Sequence, residues 1–214
     1  MKLENTDSSP YNPMINAGAI VVASCLASEI SFDTMLDTIR ALCMDPDINL
    51  DKKVYHSEMS HISRNRAIAY LLESKGYIEK NKDVENSLHF YVKMCSLSVT
   101  AESLAGLGLI LANDGIHPDT GKRLLSSQAV KIVKTLMFTC GMYDGSGEFA
   151  VRVGIPSKSG VGGGILSVVD GEMGIGIFGP ALDKKGNSVA GECVLEYMSH
   201  ELHLHMFDPQ RHTL

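Results

Sequence analysis

Residues 148–179 read EFAVRVGIPSKSGVGGGILSVVDGEMGIGIFG, and their pattern sets the class of the fold. Three segments within them, EFAVRVGI, GGILSVVD and EMGIGIFG, are rich in β-branched and apolar residues and are bounded by Gly and Pro, which predicts three strands. Asp170-Gly171 joins the last two with the residues of a tight two-residue turn, so an antiparallel arrangement is expected. Further on, Val189–His205 carries Val194, Leu195, Met198 and Leu202 at helical spacing and can cover one face of such a sheet.

The chain before this stretch has a different rhythm. Residues 1–13 are polar and hold Pro10 and Pro13, whose fixed φ and missing N–H groups predict an extended lead-in. Asn16 sits where an N-cap belongs, ahead of AGAIVVASCLA. Ser31 precedes FDTMLDTIRALC, in which Phe32, Met35, Leu36, Ile39, Leu42 and Cys43 fall on one helical face. Ser57–Glu73, Asp83–Cys95, Thr100–Ala112 and Ser126–Met137 repeat the pattern, and Asn113-Asp114-Gly115 supplies a stop that tolerates left-handed backbone. Residues 14–140 are therefore expected to be helical and 141–214 to hold the strands and a last helix, a single α+β domain.

Composition narrows the function. With 44% hydrophobic and 21% charged residues in 214, the chain can bury a core without metal or disulfide support. A net charge of −6 with no dense Lys/Arg run lacks the electrostatic footprint that a phosphate backbone needs, so nucleic acid is excluded as a partner. Ala17–Ala27, the longest stretch of low polarity, is well short of the ~20 residues of a membrane-spanning helix. MKLENTDSSP has neither the apolar core of a secretion signal nor the Arg-rich character of a transit peptide, so either the protein is cytosolic or its true N-terminus is not in this sequence. Five scattered cysteines with no C-x-x-C pair argue against a disulfide framework or a Cys-rich zinc site.

Two motifs fail on context. Gly174-Ile-Gly176-Ile-Phe-Gly179 spells G-x-G-x-x-G, but a dinucleotide loop follows a strand and opens a helix, whereas these glycines lie inside a strand and Pro180 follows. His200-Glu201-Leu202-His203-Leu204-His205 lacks the second His four residues after the first that zinc proteases use, and reads as a solvated helix end.

Lys158-Ser159-Gly160 carries chemistry. A cation, a hydroxyl and an open strand edge line one wall of the acyl-transfer site in serine penicillin-recognising enzymes, where the triplet is K-T-G. Alone, the three letters read as a Gly-rich bend with an exposed Lys. Read with NPMINAGAIVV at 12–22, SE at 57–58, RN at 64–65, FYVKMCSLSVT at 90–100, LANDG at 111–115, CGMYDGSGEFA at 140–150 and LDKKGNSVAG at 182–191, however, the chain resembles the serine-dependent glutaminases from about Tyr11 to Arg211. The resemblance implies a serine β-lactamase/penicillin-binding-protein-like fold, a helical subdomain plus an antiparallel sheet. It also implies hydrolysis of L-glutamine to L-glutamate and ammonia, no cofactor or metal, a homodimer or homotetramer, and a place in the cytosol or the mitochondrial matrix.

Residue by residue, the resemblance assigns glutamine contacts to Asn16, Glu58, Asn65, Tyr91, Tyr143 and Val161, and proton transfer to Tyr143 with Lys158. The chemistry agrees. A zwitterion's ammonium calls for an anion such as Glu58, and its carboxylate for neutral donors such as Asn16, Asn65 and the tyrosines. Val161 would act through its backbone N–H, a fixed dipole toward a developing oxyanion. A phenol of ordinary pKa about 10 needs a nearby cation to titrate closer to neutrality, which Lys158 supplies. On the residues alone, Asn16 is equally a helix cap, Glu58 an anion in a helix's first turn, and Tyr91 and Tyr143 core aromatics.

The chain departs from the family at one point. No serine in it is followed three residues later by Lys, so the Ser-x-x-Lys that supplies nucleophile and base is missing, and the family places it upstream of NPMIN. The expectation is therefore the C-terminal two-thirds of a glutaminase domain, inactive by itself. A non-catalytic module that binds glutamine or pairs with full-length subunits is the alternative. A β-lactam substrate is disfavoured because no S-D-N triplet occurs.

Overall fold

The structure, a computed structural model, describes residues 9–211. Contacts divide the chain into two compact units, one formed by the chain up to Ile39 with Asp47–Ser98, the other by Arg40–Pro46 with the chain from Val99 onward.

The first unit is helical. It contains α1 (Asn16–Glu29), most of α2 (Phe32–Cys43), α3 (Lys52–Ser60), α4 (Ser63–Ser74) and α5 (Val84–Cys95). A short antiparallel pair, β1 (Asn49–Leu50) with β2 (Leu97–Ser98), also lies in it; two-residue strands are too short to leave a periodicity in the sequence. Ile20, Ile62, Ile68, Leu72, Ile78, Leu88 and Val92 form its core, each large aliphatic side chain contributing roughly 1.5–3 kcal/mol by leaving water. Gly18 lets the lead-in fold over the start of α1: a Cβ there would stand 2.0 Å from the Asn12 carbonyl oxygen.

Two helical expectations are corrected here. Asn16 is the first residue of α1 and does not cap it; the cap position is Ile15, with no side-chain bond. Ser57–Glu73 is not one helix. Asp51 accepts hydrogen bonds from the Lys53 and Val54 N–H groups at 2.8 and 3.0 Å and starts α3 earlier than expected. The chain then breaks at His61-Ile62, where Ile62 turns into the core. By contrast, Ser31, Asp83, Thr100, Ser126 and Ser188 accept the N–H bonds that begin the helices following them, each cap being worth about 1 kcal/mol.

The second unit layers helices on both faces of a sheet. It holds α6 (Ala101–Ala112), α7 (Ser127–Cys140), a 3₁₀ turn at Tyr143–Gly145, α8 (Ser146–Arg152), strands β3 (Ser157–Ser159), β4 (Gly164–Val169) and β5 (Met173–Phe178), and α9 (Val189–Glu201). The strands are antiparallel in the order β3-β4-β5. Alternation sorts their side chains. Ile165, Val169 and Ile175 join Met142, Phe149, Val153 and Leu195 in one core. Leu166 pairs with Gly176 and Val168 with Gly174 on the opposite face, toward α6. A Cβ at Gly174 would stand 2.1 Å from the Ala105 carbonyl oxygen, and one at Gly176 1.8 Å from that of Ala101. The G-x-G letters therefore record the close approach of a helix to a strand.

The first of the three predicted strands is wrong. EFAVRVGI belongs to α8 and the turn after it, and the third strand is β3 instead. Phe149, Val151, Val153 and Ile155 alternate as a strand would, but Phe149 and Val153 are also i and i+4 on a helix, and Val151 is 79% exposed. Arg152 reaches back to Glu148 at i−4 and across to Glu192 and Glu196 of α9, which favours the helix. The β4–β5 connection holds three residues rather than two, because Val169 pairs with Met173 and the Glu172 N–H donates to the Val169 carbonyl at 3.0 Å. The last helix stops at Glu201. Beyond it Leu204 is buried and His205 lies against Gly154, so this segment is not a solvated helix end. Among the described residues no single helix is long and apolar enough to cross a membrane, and no cluster of His, Cys, Asp and Glu could hold a metal ion.

Candidate active site

In the helical unit, Asn16 at the head of α1 donates from Nδ2 to Asn65 Oδ1 on α4 at 3.1 Å. The two amides are thereby oriented together, with one N–H of Asn16 and both of Asn65 left over as donors. Glu58 is exposed and lies in the last turn of α3, where the helix dipole disfavours an anion, so the first-turn reading of this carboxylate fails. Tyr91 is half-buried on α5 and packs against the unit's core.

In the sheet unit the geometry is tighter. Tyr143 has φ +51°, a left-handed conformation that is an outlier for a bulky residue. Both peptides flanking it are held. The Met142 carbonyl accepts from the Gly145 N–H at 3.0 Å and from Asn187 Nδ2 at 3.2 Å, and the Tyr143 carbonyl accepts from Ser146 Oγ at 2.8 Å. Lys158 Nζ stands 4.9 Å from the centre of the Tyr143 ring, a cation–π contact, and also donates to the Ser159 carbonyl. The expected Tyr143–Lys158 pair is brought together, ammonium over ring face.

The edge of β3 is less open than the sequence suggested, since the Ser159 N–H is taken by the Gly141 carbonyl at 3.0 Å. Two residues on, the Val161 N–H has no hydrogen-bond partner among the described residues, and Val161 is 71% exposed. The two serines beside Lys158 differ: Ser157 Oγ is bonded to Ser167 Oγ at 2.7 Å and to the Ile155 carbonyl, whereas Ser159 Oγ is buried with no partner among the described residues.

Residues that the sequence left unassigned complete this wall. The loop 182–188 closes at a bridge between Leu182 and Ser188, and the Asn187, Lys185 and Gly186 N–H groups hold the Asp183 carboxyl below the usual carboxylate range. Lys185 pairs with Glu148 at 2.7 Å. A Cβ on Gly186, at φ +98°, would stand 3.6 Å from both the Tyr143 ring and Val161 Cγ1, so the loop lies directly beside them. The signal was the Asp183…Gly186-Asn187 turn chemistry within the LDKKGNSVAG block.

Helices on both faces of an antiparallel sheet, with Lys158-Ser159 on its outer strand and Gly160 just past it, define the class: an α+β protein. The model of the glutaminase family matches residues 1–207, and the chain belongs to that family. It is 51% identical to a glutaminase of Clostridium tetani over 94% of this chain and 66% of that protein. It is 52% identical to one of Clostridioides difficile over 97% and 68%. The chain thus spans about two thirds of the length of these curated relatives. Among solved structures, the Bacillus subtilis glutaminase YbgJ, in covalent complex with 5-oxo-L-norleucine formed from 6-diazo-5-oxo-L-norleucine, matches at TM-score 0.87 and 40% identity, over 92% of this chain and 70% of that one.

Proposed function

We propose that residues 1–214 carry the glutamine-recognition and proton-transfer part of a serine-dependent glutaminase of the penicillin-recognising fold, with the nucleophilic Ser-x-x-Lys lying outside these residues. The observation that carries the reading is the Tyr143–Lys158 pair, in a chain of this family, with the Val161 N–H three residues along from Lys158 lacking a hydrogen-bond partner among the described residues. The serine oxygen attacks the side-chain amide carbon of glutamine as its proton passes to the lysine of Ser-x-x-Lys and on to Tyr143, and the Val161 N–H takes the oxyanion. Tyr143, under the Lys158 ammonium, passes the proton to the leaving nitrogen, so ammonia departs and a glutamyl ester remains. Water then cleaves the ester, returning serine and L-glutamate. Glu58 receives the substrate ammonium; Asn16, Asn65 and Tyr91 receive its carboxylate. The ligand of the Bacillus subtilis relative supports the substrate: 5-oxo-L-norleucine has an α-amino-acid head and a carbonyl at carbon 5, where glutamine has its amide carbonyl.

The test uses residues 1–214 joined to the Ser-x-x-Lys segment of a family relative, hereafter the completed enzyme. Tyr143→Phe in it lowers ammonia release about a hundredfold or more; unchanged turnover overturns the reading. A second reading, a glutamine-binding module without hydrolysis, is favoured by the lack of any Ser-x-x-Lys in the 214 residues. Purified residues 1–214 are expected to release no ammonia above the level of Ser159→Ala. Robust release abolished by that substitution would make Ser159 the nucleophile and overturn both readings.

A further inference from the structure

Asn187 is 0% exposed, and its amide has one hydrogen bond among the described residues, from Nδ2 to the Met142 carbonyl; Oδ1 has no partner. A fully buried amide with its acceptor unused is a costly choice at a position that an aliphatic side chain could fill. What it gains is control of one peptide plane. The Met142 carbonyl belongs to the peptide that leads into Tyr143, and the rotation between that plane and the Tyr143 Cα is the φ of +51°. Gly145 and Ser146 hold the turn from within, at sequence separations of three, whereas Asn187 reaches it from 45 residues away. The neighbouring Gly186 sets the same loop against the Tyr143 ring and Val161, and the exposed Lys185–Glu148 pair ties that loop to α8.

We propose that Asn187 is a positioning residue for Tyr143: its buried amide fixes the Met142–Tyr143 peptide so that the ring stands under the Lys158 ammonium. The inference rests on the proton-transfer role given to Tyr143 above. The loop 182–188 acts through that side chain and touches no reacting atom. Displacing a reacting group by about 1 Å costs up to about a hundredfold in rate, so loss of this hydrogen bond lowers kcat, while glutamine binding, whose charged ends are assigned to Glu58, Asn16, Asn65 and Tyr91, changes little.

The experiment reads position and turnover separately. In residues 1–214 labelled with ¹³C at the tyrosine ζ-carbons, Tyr143→Phe assigns the Tyr143 signal. Asn187→Ala and Asn187→Asp, the second of which keeps the shape and removes the donor, are expected to shift or broaden that signal and leave the other tyrosines in place. In the completed enzyme the same substitutions lower kcat at least about tenfold with KM within about threefold. An unmoved Tyr143 signal with unchanged kcat, or a raised KM at constant kcat, overturns the proposal. Should both variants fail to fold, the wild-type protein decides: Asn187 side-chain amide protons that resist exchange support it, and exchange as fast as that of an exposed amide overturns it. Tyr143→Phe separates the two levels. Full turnover in that variant overturns the proton-transfer role, whereas an inactive Tyr143→Phe beside an unaffected Asn187→Ala overturns positioning alone.

Discussion

The two units hold their candidate residues by different means. Asn16, Glu58, Asn65 and Tyr91 stand on regular helices whose stability comes from the aliphatic core of their unit. Tyr143 stands in a left-handed turn clamped by Ser146, Gly145 and Asn187. On a helix, a polar side chain can change without moving its backbone, so a substitution reports its own chemistry. In the clamped turn, position is itself the product of several side chains, so changes at a distance reach the same atom.

The largest effect expected from this contrast lies in the helical unit. On the proposed assignment of Glu58 to the substrate ammonium, Glu58→Gln removes that charge's anion, worth roughly 2–5 kcal/mol. In the completed enzyme kcat/KM should fall accordingly, with Tm unchanged because Glu58 is exposed; kcat/KM within threefold of the parent sinks the assignment.

Tyr143→Phe comes next. The ring remains under Lys158, 4.9 Å from its ammonium, so the melting temperature should hold while turnover drops about a hundredfold. A sharp fall in Tm with normal turnover per folded molecule would make Tyr143 a packing residue, and the contrast between the units would disappear.

Smaller effects test the layers beneath the site. Gly176→Ala places a methyl group 1.8 Å from a backbone oxygen of α6 and should cost about 1–3 kcal/mol or more in denaturant unfolding. Gly147→Ala, inside α8 with nothing within 4 Å of the new carbon, should instead stabilise by up to about 1 kcal/mol. Destabilisation by Gly147→Ala would count against the helix at Ser146–Arg152.

The last is a pH slope. Burial, with the Asp45 carboxylate beside it, pushes the Cys43 thiol from its ordinary 9.0 up to about 11. Its contribution to stability is present in full below about pH 9 and is lost as pH rises toward 11, since the unfolded chain releases the proton first. Cys43→Ala should flatten the fall of Tm between these values, and an unaltered slope would show that other groups carry it.

Local chemistry made much of this legible. Ser31, Asp83, Thr100, Ser126 and Ser188 cap helices because a side-chain oxygen two or three residues from a free N–H needs no help from the rest of the fold. Lys158-Ser159-Gly160 and Tyr143 took on chemical roles only through the family resemblance, and their mutual distance was not legible at all. The break at His61-Ile62 escaped because Ile62 leaves the helix to enter a core built by residues elsewhere in the unit.

By itself, then, the sequence determined an α+β protein of the glutaminase family, its capped helices, and two strands of its hairpin, all of which rest on contacts a few residues apart or on motifs carried whole. Tertiary structure decided that EFAVR is the end of a helix, because Glu192 and Glu196 of α9 draw Arg152 to one side. It decided that Gly174 and Gly176 admit the close approach of α6. It also brought Asn187 to the carbonyl that precedes Tyr143. A period-2 pattern, a glycine and a buried amide each permit several local structures, and only the atoms packed against them select one.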